Sequence, residues 1–144
     1  MDPFTQGVVG AFAAQTSARR KELAKAAVVG ALGGMAPDLD VLISSPTDPL
    51  LFLEYHRHFT HSLLFIPVGG MLAGLVLFGI LGKRWGVKLQ QCLLWSTLGY
   101  ATHALLDACT SYGTQLLWPL KDYRYAWDVI SVIDPLFTLP SLVL

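Results

Sequence analysis

Charge is scarce in this sequence, and that scarcity excludes more than any single motif does. Only 14% of the residues are Asp, Glu, Lys or Arg, against roughly 25% in typical globular chains. The net charge is zero, and no basic face is interleaved with aromatics. A nucleic-acid partner is therefore not expected. Cysteine is rarer still. Cys92 and Cys109 both fall in apolar segments with no CxxC, and read as small core hydrophobes rather than a disulfide or redox pair. There is no GxSxG elbow and no serine set beside a base, so serine hydrolysis is disfavoured. Met1-Asp2-Pro3-Phe4 lacks the basic region that opens a signal peptide. No internal repeat or low-complexity linker interrupts the chain, and residues 1–144 read as a single domain.

What is present is apolar. Hydrophobic residues make up 53% of the chain. Leu63 to Leu81 is free of charge for 19 residues, about 28 Å as a helix, which is close to the hydrocarbon thickness of a bilayer. The alternative is a soluble all-α domain with an apolar core, but the uncharged runs are too long and too weakly amphipathic to favour it. Pro3 suits a first helical turn and opens a small-residue helix over Phe4 to Ala18. A second helix is expected over Leu23 to Met35, ending at Ala36-Pro37. Val41 to Tyr55, with Pro46 and Pro49, reads as loop or short helical pieces. Thr60 is a plausible N-cap for the long apolar helix, Pro67 a possible bend, and Gly70 with Gly74 a small-xxx-small pair. Leu89 to Ala108 is long enough to span. Thr110 to Asp128 is an aromatic, polar loop, and Val129 to Leu144 is a last apolar segment. The expected fold is thus all-α: an integral membrane bundle of four to five apolar helices with a polar site at one membrane face.

Alternating helix directions would sort the charges. The turns around residues 19–25 and 83–88 carry seven basic residues against Glu22 alone, whereas the opposite end carries nine acidic residues against Arg57, Lys121 and Arg124. By the positive-inside rule the basic turns are cytoplasmic and every histidine lies toward the extracytoplasmic face.

The chemistry centres on His56-Arg57-His58-Phe59-Thr60-His61-Ser62, which holds three of the four histidines just ahead of the apolar run. His103 and Asp107 are four apart and share a helix face; ionisable groups inside a spanning helix are costly and usually functional. Asp38 and Asp40 repel each other unless a cation or donors lie between them, although Asp38 alone could cap a helical turn. His56 and His61 can converge only if His56 precedes the helix, and His58 competes for that place. Arg57 suits an anionic oxygen, or else pairs with a carboxylate. Imidazole and carboxylate ligands suit zinc first, with manganese or iron(II) as alternatives.

In order along the chain, Asp2-Pro3-Phe4-Thr5, Pro37-Asp38-Leu39-Asp40, His56-Arg57-x-x-Thr60-His61-Ser62, His103-x-x-x-Asp107-x-x-Thr110-Ser111-Tyr112-Gly113-Thr114-Gln115 and Ile133-Asp134-Pro135 resemble the YdjM-like family of membrane-bound, LexA-regulated predicted metal-dependent hydrolases. The resemblance covers nearly the whole chain. It implies an inner-membrane location and a metal site formed by Asp38, Asp40, His56, His61, His103 and Asp107, with Arg57 and Asp134 beside it in catalytic roles. It also implies a phosphoester or lipid-like substrate, through a more distant likeness to zinc-dependent phospholipase C. Two positions depart from the family pattern: Gln6 stands where histidine is common, and His58 where glycine is common. The lipid bilayer is the expected partner, a phospholipid or other phosphoester the expected substrate, and a homo-oligomer is left open. The competing reading is a non-catalytic membrane protein with a structural metal or polar cluster. An intramembrane protease is a further alternative, but it would need a site deeper in the slab.

Overall fold

The computed structural model describes residues 1–43, 45, 47–48 and 50–143. Pro46, Pro49 and Leu144 lie outside the described residues. Those described form helices and no strand, with isolated β-bridges Thr110–Ile130 and Thr114–Tyr125.

Helix α1 (Pro3–Gln15) begins where Asp2 accepts the Thr5 amide at 2.9 Å, with proline in the first turn. It stops three residues short of the expected Ala18. Helix α2 (Leu23–Met35) has its expected bounds and runs directly into a 3₁₀ segment, Ala36–Leu42. Pro37 sits in the first turn of that segment, where its missing N–H costs nothing. A short α3 (Leu51–Tyr55) and a 3₁₀ turn (Phe59–His61) follow. Helix α4 (Ile66–Leu77) continues through a π-helical turn (Phe78–Gly82) into α5 (Lys83–Trp85). Helix α6 (Leu89–Ala108) has its expected bounds, and α7 (Pro135–Val143) closes the described chain.

Two local expectations are corrected. Thr60 is not a helix N-cap: its hydroxyl is drawn to the Asp40 carboxylate at 3.1 Å, and Ser62 Oγ accepts the Phe65 amide at 3.2 Å instead. Pro67 does not bend α4, because the helix starts at Ile66 and the proline falls in its first turn.

Close backbone contact holds α1, α2, α4 and α6 together. A Cβ on Gly10 would lie 2.6 Å from the Gly30 carbonyl oxygen, and one on Gly33 would lie 2.6 Å from the Ser96 carbonyl oxygen. Gly70 and Gly74 bring α4 against Thr97 and Leu93 of α6 in the same way, as their spacing suggests. Ala26, Val29, Cys92 and Trp95 form a core at one end of this packing. Both cysteines are free, Cys92 buried and Cys109 half-buried.

The basic turns meet at that same end: Lys25 Nζ donates to the Trp85 carbonyl at 2.6 Å. Alternating helix direction thus brings them together and puts Asp38, His61 and Asp107 at the other end.

Surface and interior are inverted relative to a soluble bundle. Leu72, Val76, Ile80 and Leu139 are exposed, while His61, Ser96, His103, Asp107 and Thr110 are fully buried. A contiguous exposed apolar surface marks a membrane or partner. The continuous helix Ile66–Trp85 has 20 residues, about 30 Å, enough to cross a bilayer. Among the described residues it alone is both long and apolar enough. The expected membrane bundle of four to five apolar helices is therefore met in part: the fold is all-helical, with one helix among the described residues long and apolar enough to span. Helices α1 and α2 have 13 residues each, about 20 Å, and α6 is long enough but carries Gln90, Gln91, His103 and Asp107.

Gly33→Val is expected to lower stability by about 3 kcal/mol, the upper range for overpacking a tight contact. Thermal unfolding in nanodiscs checks this; an unchanged midpoint would contradict the close α2–α6 packing.

Candidate metal centre

Three elements converge at the acidic end of the bundle. The turn after α2 carries Asp38 and Asp40, the segment after α3 carries His56, Arg57 and His61, and α6 carries His103 and Asp107. Asp38, His61, His103 and Asp107 each offer one ligand atom, and these four atoms lie within 4.8 Å of one another. His103 Nε2 is 3.2 Å from Asp38 Oδ1 and 3.3 Å from Asp107 Oδ2; His61 Nε2 is 3.2 Å from Asp107 Oδ2 and 3.8 Å from Asp38 Oδ1. His61, His103 and Asp107 are fully buried, and only the Asp38 side chain is open, at 25% exposure.

The rings are held so that both present Nε2. His103 Nδ1 donates to the Gly34 carbonyl at 2.5 Å. His61 Nδ1 lies 2.9 Å from Thr60 Oγ, whose proton goes to Asp40 Oδ2, so Nδ1 is the donor in this pair. His61 Nε2 and His103 Nε2 are buried without a well-formed hydrogen bond and turn toward the Asp38 and Asp107 carboxylates, and Asp107 Oδ2 also meets Arg57 Nε. Buried polar atoms are nearly always partnered. Two such nitrogens turned toward two carboxylates, with their other nitrogens tied to oxygen acceptors, is an arrangement that suits a cation. The donor set of two imidazoles and two carboxylates fits zinc, manganese or iron(II). Two carboxylates also balance the charge of a divalent ion.

Asp40 and His56 stand beside this group rather than in it. Asp40 accepts from His56 Nδ1 at 2.9 Å, the Arg57 amide at 2.9 Å and Thr60 Oγ at 3.1 Å, and lies 3.5 Å from His61 Nδ1. It fixes the shape of the 56–61 segment and so the His61 ring. Burial alone would raise both loop carboxyls. For Asp38 the close approach of His103 and His61 outweighs it, and for Asp40 the His56 ring and the Arg57 amide do, so both stay below the ordinary carboxylate range.

Arg57 adopts φ 58°, a left-handed conformation that strains a non-glycine residue and clusters at functional sites. Its Nε pairs with Asp107 Oδ2 at 3.1 Å, Nη1 donates to Thr110 Oγ at 3.1 Å, and its guanidinium lies 4.9 Å from the Tyr112 ring centre. The other Asp107 oxygen is held by Gln6 Nε2 at 3.1 Å and by the Met1 amino group. Gln6, at the position where histidine is common in the family, thus packs directly on a group-of-four carboxylate. His58 does not join the group. It packs against Trp118 and Tyr55, with ring centres 5.3 and 5.7 Å away. Asp134 accepts the Leu136 and Phe137 amides at the start of α7 and is not among the converging four.

Sequence reading missed what Thr60 and Arg124 do. The adjacency of Thr60 to His61 was a signal for a hydroxyl–imidazole contact. Arg124 had none: its Nη2 donates to the His56 carbonyl at 3.3 Å and its guanidinium lies 5.0 Å from the Tyr112 ring centre, across 68 positions of chain.

The fold and site define a helical membrane protein with a buried histidine–aspartate group at one end of its bundle. The chain belongs to the YdjM family: the family model described as YdjM inner membrane protein matches residues 1–144. It is similar to inner membrane protein YbcI of Escherichia coli (strain K12), with 36% identity over 108 residues, covering 72% of this chain and 60% of that relative. The match thus spans less than two thirds of that relative's length. No solved structure matches the chain.

Thr60→Val keeps the shape of the side chain but removes the acceptor for His61 Nδ1. If the group holds a divalent cation, the variant is expected to weaken its binding about tenfold, as loss of a ligand-orienting partner does. Competition titration against a zinc-sensitive dye measures this, and wild-type affinity in the variant would contradict the assigned tautomer.

Proposed function

We propose that this chain is a metal-dependent hydrolase of the inner membrane, acting on phosphoester or lipid-like substrates at the extracytoplasmic face. The observation that carries the reading is the pair of buried imidazole nitrogens turned toward Asp107 and the partly open Asp38 carboxylate. Asp38, His61, His103 and Asp107 would hold the cation. When bound, a divalent cation there supplies a Lewis acid and a source of hydroxide at neutral pH.

The chain's own groups then have separate tasks. Asp40 and Thr60 hold His61, the Gly34 carbonyl holds His103, and Gln6 holds Asp107. Arg57, only 4% exposed, places a permanent positive charge against Asp107, where the charge of a phosphoester would otherwise repel the carboxylates. The open edge at Asp38 is the access route for substrate and water. The apolar outer surface keeps the protein in the bilayer, and the basic turns favour a cytoplasmic location for the opposite end. Four to five apolar helices would then lie in or against the membrane, with α1 and α2 too short to cross it straight.

The deep burial of three of the four residues also suits a structural metal without catalysis. Activity separates the two readings. Sealed right-side-out vesicles carrying the chain should cleave an impermeant phosphodiester added outside, and inverted vesicles should not. Chelation should stop turnover, and His103→Ala should lower kcat/KM by more than about a hundredfold, beyond what loss of an outer partner costs. Tightly held metal with no turnover of any phosphodiester or phospholipid would favour the structural reading. Turnover only in inverted vesicles would reverse the sidedness.

A further inference from the structure

An apolar groove of about 570 Å³ runs between α2 and α4, within the usual size of small-molecule sites. One wall is a single line along the α4 side, Phe65, Gly69, Ala73 and Leu77, with successive members four apart. These span twelve positions, about 18 Å of helix. Leu32 and Met35 of α2 form the facing wall, and Tyr100 of α6 lies beneath. Two features keep the floor in place. Gly69 leaves room for the Tyr100 ring, which a Cβ would approach to 2.5 Å, and the Tyr100 hydroxyl donates to the Thr60 carbonyl at 2.8 Å.

The groove has direction. Its deep end is apolar, while Asp40 and Thr60 line the other end. Those two residues hold the His61 ring, so the groove ends against the support of the candidate metal centre. Its rim residues Leu72 and Val76 are 56% and 60% exposed, on the helix that is long enough to cross a bilayer. A second hollow, about 440 Å³ between α1 and α2, is lined by Pro3, Phe4, Val28 and similar residues and reaches no ionisable group. Solvating lipid would fill either hollow. Only the first brings a chain-sized apolar trough to Asp40 and Thr60, the residues that support His61.

We infer that the α2–α4 groove binds one hydrocarbon chain of a bilayer lipid and thereby delivers the lipid's ester headgroup to the Asp38–His61–His103–Asp107 group. This rests on the proposed hydrolase reading and narrows its substrate class to membrane amphiphiles that enter sideways from the bilayer. The headgroup would leave the groove at its Asp40–Thr60 end, beside the turn that carries Asp38, while the α4 line takes the chain.

The test uses the full chain in phosphatidylcholine nanodiscs and a dodecyl phosphate carrying a photoactivatable diazirine at its chain end. Labelling is expected at Leu32 and at residues 72–77, toward the deep end of the groove; Met35 lines both hollows and does not discriminate between them. Excess unlabelled dodecyl phosphate should reduce it about tenfold, and inorganic phosphate should not, since most of the binding energy would come from the chain. Ala73→Trp should reduce it similarly by filling the trough, while labelling in the α1–α2 hollow stays constant. The competition arm needs no variant, so a misfolded Ala73→Trp protein does not remove the test. Equal labelling of both hollows without competition would overturn the inference. Groove labelling in a protein that neither binds metal nor cleaves esters would leave the groove standing and remove the hydrolase reading. Metal-dependent cleavage of a soluble phosphodiester with even labelling would remove the groove alone.

Discussion

The hydrogen bond from His103 Nδ1 to the Gly34 carbonyl, 2.5 Å long, ties the packing of the bundle to its chemistry. It requires the α2 backbone to lie against α6, which the glycines of α1 and α2 permit. Gly34 itself packs near the Gln6 and Gly99 carbonyls. The bond also decides which nitrogen of His103 faces inward. A bulkier residue at the contact would separate the helices and release the ring together. Helix packing and ligand orientation are here one constraint.

The same economy governs the polar interior. A bilayer gives no reward for burying leucine between helices, so small residues and polar contacts make the interfaces. Leu72, Leu75, Val76 and Leu139 face outward, and Thr5, Gln6, Ser96, Thr110 and Thr114 are buried. An interior of that kind can hold charged ligands, since Arg57 sits against Asp107 and three donors satisfy Asp40. His61 Nε2 and His103 Nε2 have only the clustered carboxylates to face in a low-dielectric setting, where poorly met polar atoms are costly.

Much of this was legible in the residues. The bounds of α2 and α6 followed from Pro37, from the basic turn ending at Lys88 and from the polar loop that begins at Thr110. The four-residue spacing of His103 and Asp107 put both on one face, and the glycine spacing of α4 marked its packing side. What local pattern could not supply was the choice among polar partners. Thr60 fits an N-cap by type, but a carboxylate twenty positions away in sequence takes its proton. Asp38 and Asp40 look equivalent in sequence, yet the 3₁₀ path of Ala36–Leu42 sends one into the ligand group and the other under the histidine segment. His58 could substitute for His56 by spacing, but the aromatic contacts of Trp118 and Tyr55 hold it elsewhere. Apolar composition marks α1 and α2 as helices but does not say whether they cross a bilayer, since each stops at 13 residues.

The claim on which the rest stands is that Asp38, His61, His103 and Asp107 bind one cation together. X-ray absorption at the zinc edge of the loaded, nanodisc-embedded protein tests it most directly. The account predicts a nitrogen and oxygen ligand shell without sulfur, with outer-shell scattering from two imidazole rings. A folded protein that takes up no metal, or one whose zinc is bound through Cys92 or Cys109, would contradict it.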